Sequence, residues 1–175
     1  MTPEFSRPER LDSIGERDRR ISIAATPEEC AALARRFDLI AIDCLAADLT
    51  LRREAHGIVV RGPVTASVVQ TCAITDDPVP ATIDEPMALR FVDAAAPEQD
   101  EIELSDQDCD TMPIDGGAID LGEAAAETMA LALDPFPRAP SAEAVLRDAG
   151  VISEEEARPL GALAGLKAAL EKRQS

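Results

Sequence analysis

Ile58-Val59-Val60-Arg61-Gly62-Pro63-Val64-Thr65-Ala66-Ser67-Val68-Val69-Gln70-Thr71-Cys72 is the run on which the fold class turns. Ile58, Val60, Val64, Ala66, Val68 and Cys72 fall on one face of an extended chain, interrupted by Gly62 and Gln70, while Val59, Arg61, Thr65, Ser67 and Thr71 fall on the other. Side chains of a strand alternate with period two, so this is the pattern of a sheet with one face in water. Gly62-Pro63 predicts a bulge or bend, because proline cannot donate to a central ladder.

Outward from this strand, Ala55-His56-Gly57 reads as the turn before it, preceded by short strands over Leu39–Asp43 and Asp48–Arg52. After it, Ala81–Phe91 sets Ile83, Met87, Leu89 and Phe91 on a common face, with Pro86 marking an edge or a kink. Earlier, Arg20–Ala24 is a short alternating strand, and Thr26-Pro27-Glu28-Glu29 opens a helix with a capping box and a proline at the first helical position. Cys30, Leu33, Ala34 and Phe37 share one face of that helix. A second helix is capped at Asp120-Leu121-Gly122-Glu123 and runs to Leu133, where Asp134-Pro135-Phe136-Pro137 ends it. Residues 1–20 carry Phe5, Leu11 and Ile14 as anchors for an edge strand or an arm over the core. Residues 93–117 read as an acidic loop or excursion. Ser141–Ala149 is a short helix ended by Gly150, and Pro159–Leu170 carries Leu160, Leu163, Ala164, Leu166 and Leu170 on one broad side.

The expected fold is therefore α+β: an antiparallel β-sheet meander of about five or six strands packed by two helices, with an acidic loop and a C-terminal helical tail. The domain is expected over 1–138 and the tail over 139–175. The expected inward set is Leu33, Phe37, Leu49, Leu51, Ile58, Val60, Val64, Val68, Leu89, Phe91, Leu121, Met129 and Leu133.

The chain has 175 residues, 34 acids and 17 bases, and a formal net charge of −17. Between Asp76 and Asp134 stand 17 acids and one base, Arg90, so nearly the whole imbalance lies in one contiguous third. Such a surface repels phosphate and attracts basic proteins; the bland alternative is plain solubility. Alanine supplies 31 residues and the four Phe are the only aromatics, which makes for an aliphatic, thinly filled core. No run approaches the roughly 18 apolar residues of a membrane span, and Met1–Arg7 lacks the apolar stretch of a signal peptide. A cytoplasmic protein is expected.

Candidate chemistry is sparse. Cys30, Cys44, Cys72 and Cys109 are far apart, with a single histidine, so reduced and mostly buried thiols are expected rather than a zinc site. Asp106, Asp108 and Asp110 open like a calcium loop, but Thr111 stands where the glycine belongs and Gly117 where the bidentate Glu belongs. His56 reads as a turn residue, and Cys72 has no base placed beside it by local sequence. No nucleophile, base and stabiliser come together, so no enzyme, no cofactor and no metal are expected.

One ordered set of motifs rises above this. Val68-Val69-Gln70-Thr71-Cys72-Ala73-Ile74-Thr75-Asp76-Asp77-Pro78-Val79 is followed by Met87-Ala88-Leu89-Arg90-Phe91, then Ile119-Asp120-Leu121-Gly122-Glu123, then Leu131-Ala132-Leu133-Asp134-Pro135-Phe136-Pro137. Arg158-Pro159-Leu160-Gly161-Ala162-Leu163-Ala164-Gly165-Leu166-Lys167 closes the series. From about Phe5 to Lys167 the chain resembles the YceD family, bacterial and plastid proteins described as large ribosomal RNA subunit accumulation proteins. The resemblance implies a cytoplasmic, non-enzymatic factor needed for large-subunit ribosomal RNA to accumulate. Many of those relatives carry a second Cys three residues after the position of Cys72; here Thr75 stands there, and no metal site is expected.

The expected partner is a basic protein, a ribosomal protein or an RNA-processing enzyme. Asp100, Glu101, Glu103, Asp106, Asp108 and Asp110 are the expected contact residues. RNA contact through the acidic third is disfavoured, and any direct contact is expected at the Arg52, Arg53, His56 and Arg61 hairpin. The competing class is a generic acidic interaction module or inhibitor unrelated to ribosomes.

Overall fold

A computed structural model describes residues 3–93, 110–114 and 116–151. Strands β1 (Pro8–Arg10), β2 (Arg19–Ala24), β3 (Ala41–Glu54), β4 (Gly57–Thr71), β5 (Pro78–Asp93), β6 (Asp110–Ile114) and β7 (Ala118–Asp120) alternate with helices α1 (Pro27–Arg36), α2 (Leu121–Leu131) and α3 (Ala142–Asp148). The main sheet runs β2-β3-β4-β5-β6, and β1 pairs with β7 in a separate two-stranded ribbon. The fold is the expected α+β, with an antiparallel meander from β2 to β5.

Three local expectations are corrected. The two short strands before the hairpin are one, β3, carrying an irregularity: Ile42 faces Val68 but Cys44 faces Ser67, so one extra residue lies in β3. The extra residue switches the phase, and Leu45, Ala47, Leu49 and Leu51 take the buried positions while Cys44 turns outward. Next, Gly62-Pro63 does not interrupt β4. Pro63 faces Pro86 of β5, which puts both missing donors on one rung, and Gly62 lets Leu49 of β3 approach where a Cβ would lie 3.0 Å from the Leu49 Cα. Among the described residues, β5 is an edge before Leu89, Pro86 included, because β6 pairs only with Leu89–Asp93. Finally, the 93–117 stretch contains β6, which joins the sheet parallel to β5. Its alternation is too short to stand out from the acidic surroundings.

Both long helices pack on the same face of the sheet. Thr26 and Glu29 form the full capping box of α1, and Cys30, Leu33 and Ala34 are buried beneath it. Asp120 caps α2 by accepting the N–H groups of Gly122 (3.0 Å) and Glu123 (3.2 Å). The reciprocal half of that box is replaced, since the Glu123 carboxylate bridges to Arg36 at the end of α1. Phe5 and Ile14 anchor the N-terminal arm in the core, as their spacing among polar residues suggests. Arg7 holds the arm to Glu29 at one end of α1, and Arg36 holds Glu4 and Glu123 at the other. Of the expected inward set, Phe37, Leu89 and Leu133 are half-buried against the core and the other ten are buried; Val59, expected on the wet face, is also buried.

Candidate functional site: the acidic end of the sheet and helix 2

Of the six acids expected to meet a partner, Asp100, Glu101, Glu103, Asp106 and Asp108 lie outside the described residues. So do Asp115, Cys109 and Pro159–Leu170, together with the first four positions of the calcium-like loop. Asp110 is described. It opens β6 opposite Leu89 and is exposed.

The other acids of the 76–134 third divide by what they touch. Asp120 accepts from Ser6 Oγ (2.5 Å) and the Arg7 backbone N–H (2.8 Å) as well as capping α2, so it holds the arm to the fold. Asp77 accepts from the hydroxyls of Ser141 (2.7 Å) and Thr75 (2.9 Å), which keep its carboxyl below the usual range. Glu123 is spent on Arg36. Asp76, Asp84, Glu85, Asp110 and Asp134 are exposed, as is Asp77, and the Asp134 carboxylate accepts the Phe136 N–H (2.9 Å).

Four of the exposed or turn-borne acids gather at one place. Glu85 and Asp110 line a groove between the β5 edge and the end of α2, together with Met87, Leu89 and Leu131. Asp38 and Asp134 line a second groove, floored by Phe37, Leu39, Leu133 and Pro135, on the opposite side of Leu131. Leu131 is the ridge between them and is 88% exposed. Gln70, buried in β4, donates its amide to the Asp134 carbonyl (2.8 Å) and ties the second groove to the sheet. Sequence reasoning ended α2 at Leu133 and missed this ridge. One signal was present: Glu85 occupies an inward position of β5, between Ile83 and Met87, where a charge is out of place unless that end of the face is uncovered.

The arginine hairpin is largely engaged in the fold. Arg53 donates to the backbone carbonyls of Ile14 (3.0 Å) and Leu11, clamping the arm. Arg52 pairs with Glu54 and Asp18, and Arg90 with Glu54. His56 is exposed in the turn.

Cys72 is buried beside the start of α3, packed with Val79, Ala139 and Ala142. Its Sγ accepts the N–H of Ala139 at 3.2 Å and that of Ile74 at 3.5 Å. The Ala139 N–H foremost, then the Thr75 hydroxyl, outweigh burial and bring the thiol down to about 7. Burial pushes the Cys30 thiol the other way. Among the described residues no three metal-ligating side chains cluster, and no helix is long and apolar enough to cross a membrane.

A family model described as large ribosomal RNA subunit accumulation protein YceD matches residues 60–167. The matched span begins inside β4 and takes in β5, β6, β7, α2 and α3, hence Leu131 and Cys72, but not α1 or the hairpin residues Arg52, Arg53 and His56. No curated protein and no solved structure matches the chain.

Proposed function

The chain belongs to the YceD family of large ribosomal RNA subunit accumulation proteins, and from that premise we propose that it is a non-enzymatic factor acting in the cytoplasm to let large-subunit ribosomal RNA accumulate. The family match over residues 60–167 carries this reading. The charge supports a mechanism through protein. A net charge of −17, with most of it in the matched span, opposes neutralisation of phosphates. The same charge favours encounter with the Lys/Arg-rich surface of a ribosomal protein or an RNA-processing enzyme. The partnering of Arg52, Arg53 and Arg90 further reduces the basic surface offered to RNA. Deleting the gene tests the function: the expected outcome is a fall in large-subunit relative to small-subunit RNA on sucrose gradients. Unchanged ribosome profiles would place the protein among acidic modules or inhibitors serving some other basic enzyme.

A further inference from the structure

Leu131, the last residue of α2, is 88% exposed, the most exposed large apolar side chain among the described residues, ahead of Phe136, Val151 and Ile40. Apolar surface of this kind beside preformed grooves marks an interaction site. Apolar side chains contribute to both grooves, Met87 and Leu89 to one and Phe37, Leu39 and Leu133 to the other. Among the described residues, every charged group lining them is an acid: Glu85 and Asp110 on one side, Asp38 and Asp134 on the other. We propose that the two grooves astride Leu131 dock a leucine-bearing, Lys/Arg-rich segment of a partner protein, the apolar side chains taking its leucines and the acidic walls its cationic heads.

The proposal rests on the basic-partner reading above and assigns it a surface. Helix-in-groove recognition needs apolar anchors spaced along one face, with charges at the rim setting register and specificity. The ridge-and-groove relief supplies the first, and the four carboxylates the second. Other occupants fit less well. A second copy brings the same acids and a like charge of −17. The chain's own segment 152–175 has four acids (Glu154, Glu155, Glu156, Glu171) and four bases (Arg158, Lys167, Lys172, Arg173), so it carries no net complement. RNA is repelled by the walls and finds no aromatic platform in the grooves beyond Phe37.

The test uses the full chain and a fluorescent Leu/Lys amphipathic peptide of about 14 residues, or roughly four helical turns, by anisotropy at about 0.05 M salt. A companion peptide keeps the lysines and replaces the leucines with serine. The Leu/Lys peptide is expected to bind about tenfold tighter than its companion, and Leu131→Ser, a change at an exposed position, to remove that advantage. Neutralising the walls (Glu85→Gln, Asp110→Asn, Asp38→Asn, Asp134→Asn) should weaken binding by about tenfold. Neutralising four exposed acids elsewhere (Glu16→Gln, Glu28→Gln, Asp84→Asn, Asp148→Asn) changes net charge equally and should have little effect. Equal losses in the two sets, or no effect of Leu131→Ser, would overturn the groove while leaving a basic partner in place. Failure of both peptides to bind the parent chain would overturn the basic-partner reading as well. A photocrosslinker at position 131 that joins to residues 159–170 of the same chain, or to a second copy, would overturn the assigned occupant.

Discussion

At Gly122 a helix rule and a packing rule oppose each other. Replacing a helical glycine with alanine ordinarily stabilises by about 1 kcal/mol. Here a Cβ would strike the Phe5 carbonyl oxygen, and would lie 2.9 Å from its carbon and 3.1 Å from the Arg7 nitrogen, all backbone atoms of the arm. Gly122→Ala is therefore expected to lower the melting temperature, as thermal unfolding would read directly; a rise would mean that the arm yields freely. Cys72 gives a pH prediction of definite sign. Its native thiol titrates near 7, below the ordinary value of 9.0, because the Ala139 N–H and the Thr75 hydroxyl favour the thiolate. The resulting stabilisation is fully present above the unfolded value and is lost as pH falls through about 7. The parent chain should gain stability over Cys72→Ser in urea titrations between those two values, and a pH-independent difference would remove the thiolate from the account.

At the scale of elements, the arm and the two helices are one clamp. Asp120 alone accepts four hydrogen bonds: from Ser6, Arg7, Gly122 and Glu123. Losing a helix cap costs about 1 kcal/mol, and the arm's bonds add to that. Asp120→Ala is expected to lower stability by about 2–3 kcal/mol and to speed hydrogen exchange at β1, which pairs with β7 just before the cap. The cap on α2 was legible in four consecutive residues, since capping is a local event within one turn. The partners of Asp120 and Glu123 were not, because Ser6 and Arg36 are 114 and 87 residues away. The bulge in β3 was hidden for a related reason: the residues around Cys44 alternate imperfectly, and only pairing with β4 shows that one strand continues through them.

At the scale of the whole molecule, the core spans both helices, the arm and the sheet, so a single large truncation is felt throughout. Phe91, 4% exposed, packs in that core, and Phe91→Ala should cost about 3–5 kcal/mol in chemical denaturation. The net charge of −17 acts on the same balance. Like charges repel within the compact state, and salt screens them beyond about 10 Å at 0.1 M. Raising sodium chloride from about 0.02 to 0.2 M is expected to raise the melting temperature; a fall would show that the Arg7, Arg36 and Arg52 ion pairs outweigh the repulsion.

The sequence by itself determined the α+β class, the helix starts at Thr26 and Asp120, the strand from Ile58 and most of the core, because periodicity and capping are written within a few neighbouring residues. It also determined that an acidic third exists and which family's order of motifs the chain follows. The tertiary structure alone decided which of those acids are spent and which are offered. Asp120, Asp77 and Glu123 are bound into the fold, while Glu85, Asp110 and Asp134 meet at the grooves beside Leu131, joined there by Asp38 from outside the acidic third. Charge is a property of composition, but a charged site depends on distance, and distances between remote residues are set only when the elements pack.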